Sequence, residues 1–92
     1  MLITRTMNAA LNHQVGNEFA ASLQYISLAA HCSSVGLPIF AAHFFTQAAE
    51  ERDHAMKFVK YIIEAGGQVE IPAIPAPRTG FATMEEAVQF AF

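Results

Sequence analysis

The stretch Gln47-Ala48-Ala49-Glu50-Glu51-Arg52-Asp53-His54-Ala55-Met56 sets a carboxylate and an imidazole three residues apart in a run of good helix formers. At about 100° per residue, with Glu51 at zero, Phe40, Phe44, Phe58 and Ile62 fall within about 20° and Gln47, Ala55 and Ala65 within about 40°. Glu51 is therefore centred on an apolar stripe rather than a solvated face. His54 lies about 60° round and points into the same groove.

Upstream, residues from about Thr6 to Val35 hold no proline and one glycine, Gly16, and read as one long helix. With Glu18 at zero, Leu11 and Ala29 lie about 20° to one side, Met7 and Tyr25 about 20° to the other, and Ser22 and Cys32 about 40° away. Glu18 is also centred on an apolar stripe. In an antiparallel pair, residues at one height share a constant sum of residue numbers. For Glu18 and Glu51 that sum is 69, and its midpoint falls between Ser34 and Val35. Gly36 is a suitable left-handed helix cap at that point, and Pro38 suits the first turn of the next helix. The same register sets Val15 beside His54, Ser22 beside Gln47, Tyr25 beside Phe44, Leu11 beside Phe58 and Ala29 beside Phe40. Two carboxylates and an imidazole meet at one level of an otherwise apolar hairpin.

The second helix is expected over about 38–65, ended by Gly66-Gly67. Pro72, Pro75, Pro77 and Gly80 make 66–83 an extended crossing. Thr83-Met84-Glu85-Glu86 reads as a capping box opening a third helix over 84–92, whose residues Ala87 to Phe92 are apolar helical sequence without a closing cap. The fold class is all-α: an antiparallel helical hairpin, the start of a third helix, and one domain over 1–92.

Composition narrows the partners. Of 92 residues, 53% are hydrophobic and 14% charged, against roughly a quarter charged in ordinary soluble domains. So short a chain cannot bury this much apolar surface alone, which implies burial against further protein, as an oligomer or within a longer molecule. The net charge of −3 argues against nucleic acid or an anionic membrane as partner. From Phe19 to Ala49 there are 31 residues without Asp, Glu, Lys or Arg, but Gln24, His31, Ser33, Ser34, Gly36, Pro38, His43 and Gln47 interrupt them, so a membrane span is not expected. Residues 1–12 lack a signal-peptide pattern. The single cysteine, Cys32, excludes an intrachain disulfide and suits a reducing cytoplasm.

A buried ionised carboxylate costs several kcal/mol, and a second one beside it adds repulsion. No Lys or Arg lies near the centre of either inward face, which leaves shared protons or a bound metal cation. Carboxylate oxygens with an imidazole nitrogen suit iron or manganese; a structural zinc site would usually contain thiolates.

These residues resemble the first half of a bacterial ferritin: Gly16-Asn17-Glu18-Phe19, Tyr25, the stretch 47–56, the separation of 33 between Glu18 and Glu51, and Val69-Glu70-Ile71-Pro72 at the start of the crossing. The similarity covers nearly the whole chain. Glu-x-x-His alone is weak, but with a glutamate at matching height on the preceding helix it is fairly specific, and ferritin-like di-iron bundles build their sites in this way. The resemblance implies half of a four-helix bundle and a ferroxidase that oxidises Fe(II) with O2 or H2O2 for iron storage or detoxification. It implies Glu18 as terminal iron ligand, Glu51 as bridging carboxylate and His54 as nitrogen ligand. Tyr25 would be the neighbouring aromatic whose hydroxyl holds a ligand carboxylate, and Glu50 the acidic residue of an accessory iron. Arg52 stands where bacterioferritins place their haem-ligating methionine, so haem is not expected. Manganese is an alternative with the same donors.

A complete di-iron site needs more ligands than this chain supplies. A longer protein would provide them, or two hairpins would pair about a two-fold axis, with four Glu and two His in all, as a homo-oligomer or within a larger cage. A rubrerythrin-like peroxidase would also need a four-cysteine iron site that one cysteine cannot build, and a metal-free helical oligomerisation module would keep the bundle without binding metal. His31, Cys32 and His43 flank the turn and read as packing or interface residues. His13, Asp53, Lys57, Lys60 and Glu64 read as a solvated face.

Overall fold

Thr4 begins the first helix. Its hydroxyl accepts a 3.0 Å hydrogen bond from the Met7 amide, which satisfies one of the N–H groups left open at a helix start, and the helix α1 runs Arg5–Ser34. The computed structural model describes residues 2–91. Pro38 occupies the first turn of α2, Pro38–Glu64, and α3 spans Met84–Ala91. Among the described residues there is no strand.

Both long helices end in the same way. Gly36 at φ 75° lets the Leu37 amide donate back to the Cys32 carbonyl at 2.9 Å, and Gly66 at φ 74° lets the Gly67 amide donate to the Ile62 carbonyl at 2.8 Å. Each bond spans six residues and closes a helix end that only a left-handed residue permits. Thr83 opens α3 by accepting from the Glu86 amide at 3.0 Å. The Glu86 side chain, expected to return the bond in a capping box, pairs with Arg78 instead.

The hairpin of α1 and α2 carries two apolar clusters. At the turn end, Leu28, Ala29, Cys32, Ala41 and Phe44 are buried with Phe81 and Ala87 from the far end of the chain. At the open end, Val15, Ala55 and Ile62 are fully buried, with Leu11, Phe19, Phe58 and Val59 packed around them. The Tyr25 and Phe44 rings stack with centroids 6.0 Å apart, and Ser22 donates to the Ala48 carbonyl at 2.8 Å. Phe40, expected to close a core layer with Ala29, is 45% exposed. The apolar positions Leu23, Ile26, Phe45 and Ile63 are exposed as well.

Residues 68–81 travel back along α1 as an extended strap. The Gln68 amide donates to Asn8 Oδ1 at 2.9 Å and the Glu70 amide to Asn12 Oδ1 at 2.6 Å, while Asn12 Nδ2 donates to the Gln68 carbonyl at 2.8 Å. Pro72 lies over Gly16 so closely that a Cβ there would meet Pro72 Cγ at 2.5 Å. Further on, Gln24 exchanges two hydrogen bonds with the Arg78 backbone, and Ser27 donates to the Arg78 carbonyl. Phe81 meets the His31 ring edge-on at 5.5 Å. From Asn8 to His31 the helix advances about 35 Å, which the 13 steps from Gln68 to Phe81 match only at roughly 2.7 Å each, an extended backbone. Arg78 is then held over the faces of Phe81 and Phe90. Ala87 is buried with Leu28, Ala29 and Cys32, and Phe90 lines one pocket with Ala21, Gln24, Tyr25 and Leu28, so α3 sits on the flank of α1.

Candidate metal centre

Between the two clusters, Glu18 from α1 meets Glu51 and His54 from α2. One donor atom from each lies within 4.8 Å of the other two. His54 Nδ1 is 3.7 Å from Glu18 Oε2 and 3.7 Å from Glu51 Oε2. The level is bordered one turn away by Val15 and Ala55, both fully buried, and on the other side by Ser22 and Ala48, also buried. The carboxylates are correspondingly screened, with 15% and 22% of their side chains exposed, while the imidazole is 50% exposed.

The two acids respond to this confinement in opposite directions. A side-chain hydrogen bond from Glu51 holds the Glu18 carboxyl below the usual range, aided by Gln14 and His54 against the cost of burial. The same hydrogen bond, with burial and the nearby Glu18 charge, pushes Glu51 up. One proton shared between two carboxylates is the electrostatic answer to crowding two negative charges where water is partly excluded. A cation between them would relieve the same repulsion by displacing that proton. Two carboxylates with one imidazole, and no thiolate, form a hard oxygen-rich donor set suited to iron or manganese. Cys32, the chain's one thiol, lies in the turn-end cluster, where burial raises its pKa.

The other sequence-selected residues lie outside this group. Glu50 is exposed on the neighbouring face of α2, and Arg52 is exposed as well. Tyr25 is half-buried and stacked on Phe44; among the described residues its hydroxyl makes no hydrogen bond to either carboxylate. His43 meets Phe44 edge-on at 5.3 Å, and His31 is packed against Phe81 with its Nε2 buried and without a hydrogen-bond partner among the described residues. The hydrogen-bond donor to Glu18, Gln14, is not among the residues singled out from the sequence. Its position four residues before Glu18 on the same helical face was the available signal.

The ferritin family model, a ferritin-like domain, matches residues 8–92. Ferritin BfrB of Mycobacterium tuberculosis is 39% identical over 84 residues, covering 91% of this chain and 46% of that protein. A bacterial non-heme ferritin of Staphylococcus haemolyticus is 35% identical over 85 residues, covering 92% and 51%. Among solved structures, a novel open pore ferritin from the hyperthermophilic archaeon Archaeoglobus fulgidus matches with a TM-score of 0.90 at 31% identity, over 97% of this chain and 54% of that one. The chain spans about half the length of the relatives it matches.

Proposed function

We propose, from the premise that this chain belongs to the ferritin-like domain family, that it binds ferrous iron through Glu18, Glu51 and His54 and takes part in oxidising it for storage or detoxification. The observation that carries this reading is the convergence of three donors, two carboxylates and an imidazole, within 4.8 Å of one another. Iron is the substrate. Each Fe(II) yields one electron to O2 or H2O2, and the ferric product hydrolyses toward an oxide mineral. The protein's part is to hold carboxylate oxygens where charge increases from +2 to +3, which favours the oxidised ion. In this reading Glu51 would bridge two irons, with Glu18 and His54 as terminal ligands. The same donors accept manganese.

Three donors do not enclose two irons, so further protein completes the centre. A second copy of the chain would bring the total to four Glu and two His in a homo-oligomer, and the second half of a longer family member would act likewise. The position of α3 bears on this choice. Its Ala87 is buried in the turn-end cluster, and Phe90 lines one pocket with Ala21, Gln24, Tyr25 and Leu28 of α1, so a second hairpin closing that side would meet it.

Glu51→Ala should abolish rapid Fe(II) oxidation, followed by ferric absorbance in stopped flow, while leaving helix content by circular dichroism intact. Unchanged oxidation in that variant refutes the assignment. The rival reading, a metal-free oligomerisation module, draws on the opposite shifts of the two acids, since a proton held by Glu51 would reduce their repulsion. A melting temperature that rises with Fe(II) or Mn(II) and falls again with chelator excludes it.

A further inference from the structure

The two oxygens of Glu18 face different partners. Oε2 lies toward His54 Nδ1 at 3.7 Å, whereas Oε1 accepts a 3.1 Å hydrogen bond from Gln14 Nε2. The Gln14 amide is oriented in turn, because its own oxygen accepts from Asn17 Nδ2 at 3.5 Å. Gln14 is half-buried, about 40° from Glu18 on the stripe of α1 that also carries Met7 and Leu11. Neither apolar cluster of the hairpin includes it.

We propose that Gln14 is a positioning residue of the metal centre: it occupies Glu18 Oε1 so that Oε2 alone faces the metal, with Asn17 setting the direction of the amide. The proposal rests on reading Glu18 as a metal ligand. A carboxylate with one oxygen engaged by an N–H donor presents the other as a single, directed ligand atom. Without the donor, the side chain can turn to present both oxygens or rotate away. The order along the helix suits the task, since Gln14 lies one turn before Glu18 and Asn17 three residues after Gln14, so both contacts are made within one helical face.

Co(II), titrated into the purified protein in its own assembly and read by its visible d–d absorption, tests this directly. Gln14→Met keeps the length and helix propensity of the side chain and removes the donor. It should weaken Co(II) binding roughly tenfold and alter the d–d band, at an unchanged metal-free melting temperature. Asn17→Ala should shift affinity in the same direction by a smaller factor. Wild-type affinity and spectrum in Gln14→Met, together with loss of binding in Glu18→Gln, overturns the role of Gln14 and leaves the ligand reading standing. Unchanged Co(II) binding in Glu18→Gln overturns the ligand reading and this proposal with it.

Discussion

At the turn end of the hairpin, Leu28, Ala29, Cys32 and Phe44 have lost almost all contact with solvent, closed in by Phe81 and Ala87. A short way down the same two helices, Glu18 and Glu51 keep 15% and 22% of their side chains exposed and share one level with His54. The turn end gains free energy from every methylene removed from water. The acid layer loses it, because each carboxylate gives up hydration and gains a like-charged neighbour. Stability and the proposed chemistry thus occupy separate levels of one rod, and the acid level is tolerated because apolar clusters flank it on both sides.

The comparison is most severely tested at Phe44. Truncating this fully buried ring by Phe44→Ala should cost about 3–5 kcal/mol, read as a lowered denaturant midpoint. If the metal-free Glu51→Ala protein were destabilised as much, the separation of levels would fail. A smaller loss, about 1–3 kcal/mol, is expected from Gly16→Ala, because the new methyl would meet Pro72 Cγ and push the strap off α1. Its signature is faster proteolysis within 68–80, with the turn-end cluster still protected. An unchanged midpoint and cleavage pattern would show that the strap adds nothing to the hairpin.

The smallest effect is on pH dependence. Glu51 is raised above the ordinary carboxylate value of 4.5, so its contribution to stability is complete below that value and is lost as pH rises through its raised folded value. Glu18 is lowered, so its contribution is present above 4.5 and is lost as pH falls through its lowered value. The metal-free protein should therefore draw most from this pair near 4.5 and lose stability toward neutrality relative to Glu51→Gln, which cannot titrate. Melting curves of the two proteins from pH 4 to 8 check this, and a constant difference would mean that no proton is shared.

Much of the hairpin was legible in the residues alone. Its all-α class followed from helical periodicity, Gly36 and Pro38 marked the turn, and one register put Tyr25 beside Phe44, which stack in the structure. The same register set Glu18, Glu51 and His54 at one level, where the structure also brings them, and their part as metal ligands is the function proposed above. The hydroxyl role expected of Tyr25 came from the family resemblance. A helical wheel gives the direction of a side chain but not its torsions, and the Tyr25 ring lies against Phe44, with no hydrogen bond to the acids among the described residues. Gln14 was missed for the converse reason, since one polar residue on an apolar stripe looks like an ordinary helix-surface residue until its hydrogen bond is seen.

By itself, then, the sequence determined the two long helices, the turn between them and the level at which the acids meet, because 3.6-residue periodicity and helix caps depend on neighbours a few positions away. The tertiary structure alone decided the path of residues 68–81. An extended segment without a ladder has no period of its own, and its partners Asn8, Asn12, Gly16, Gln24 and Ser27 lie more than 50 positions distant in the chain. Which backbone atoms those side chains reach, and which methyl group Gly16 must lack, is settled only when the strap lies down along the helix.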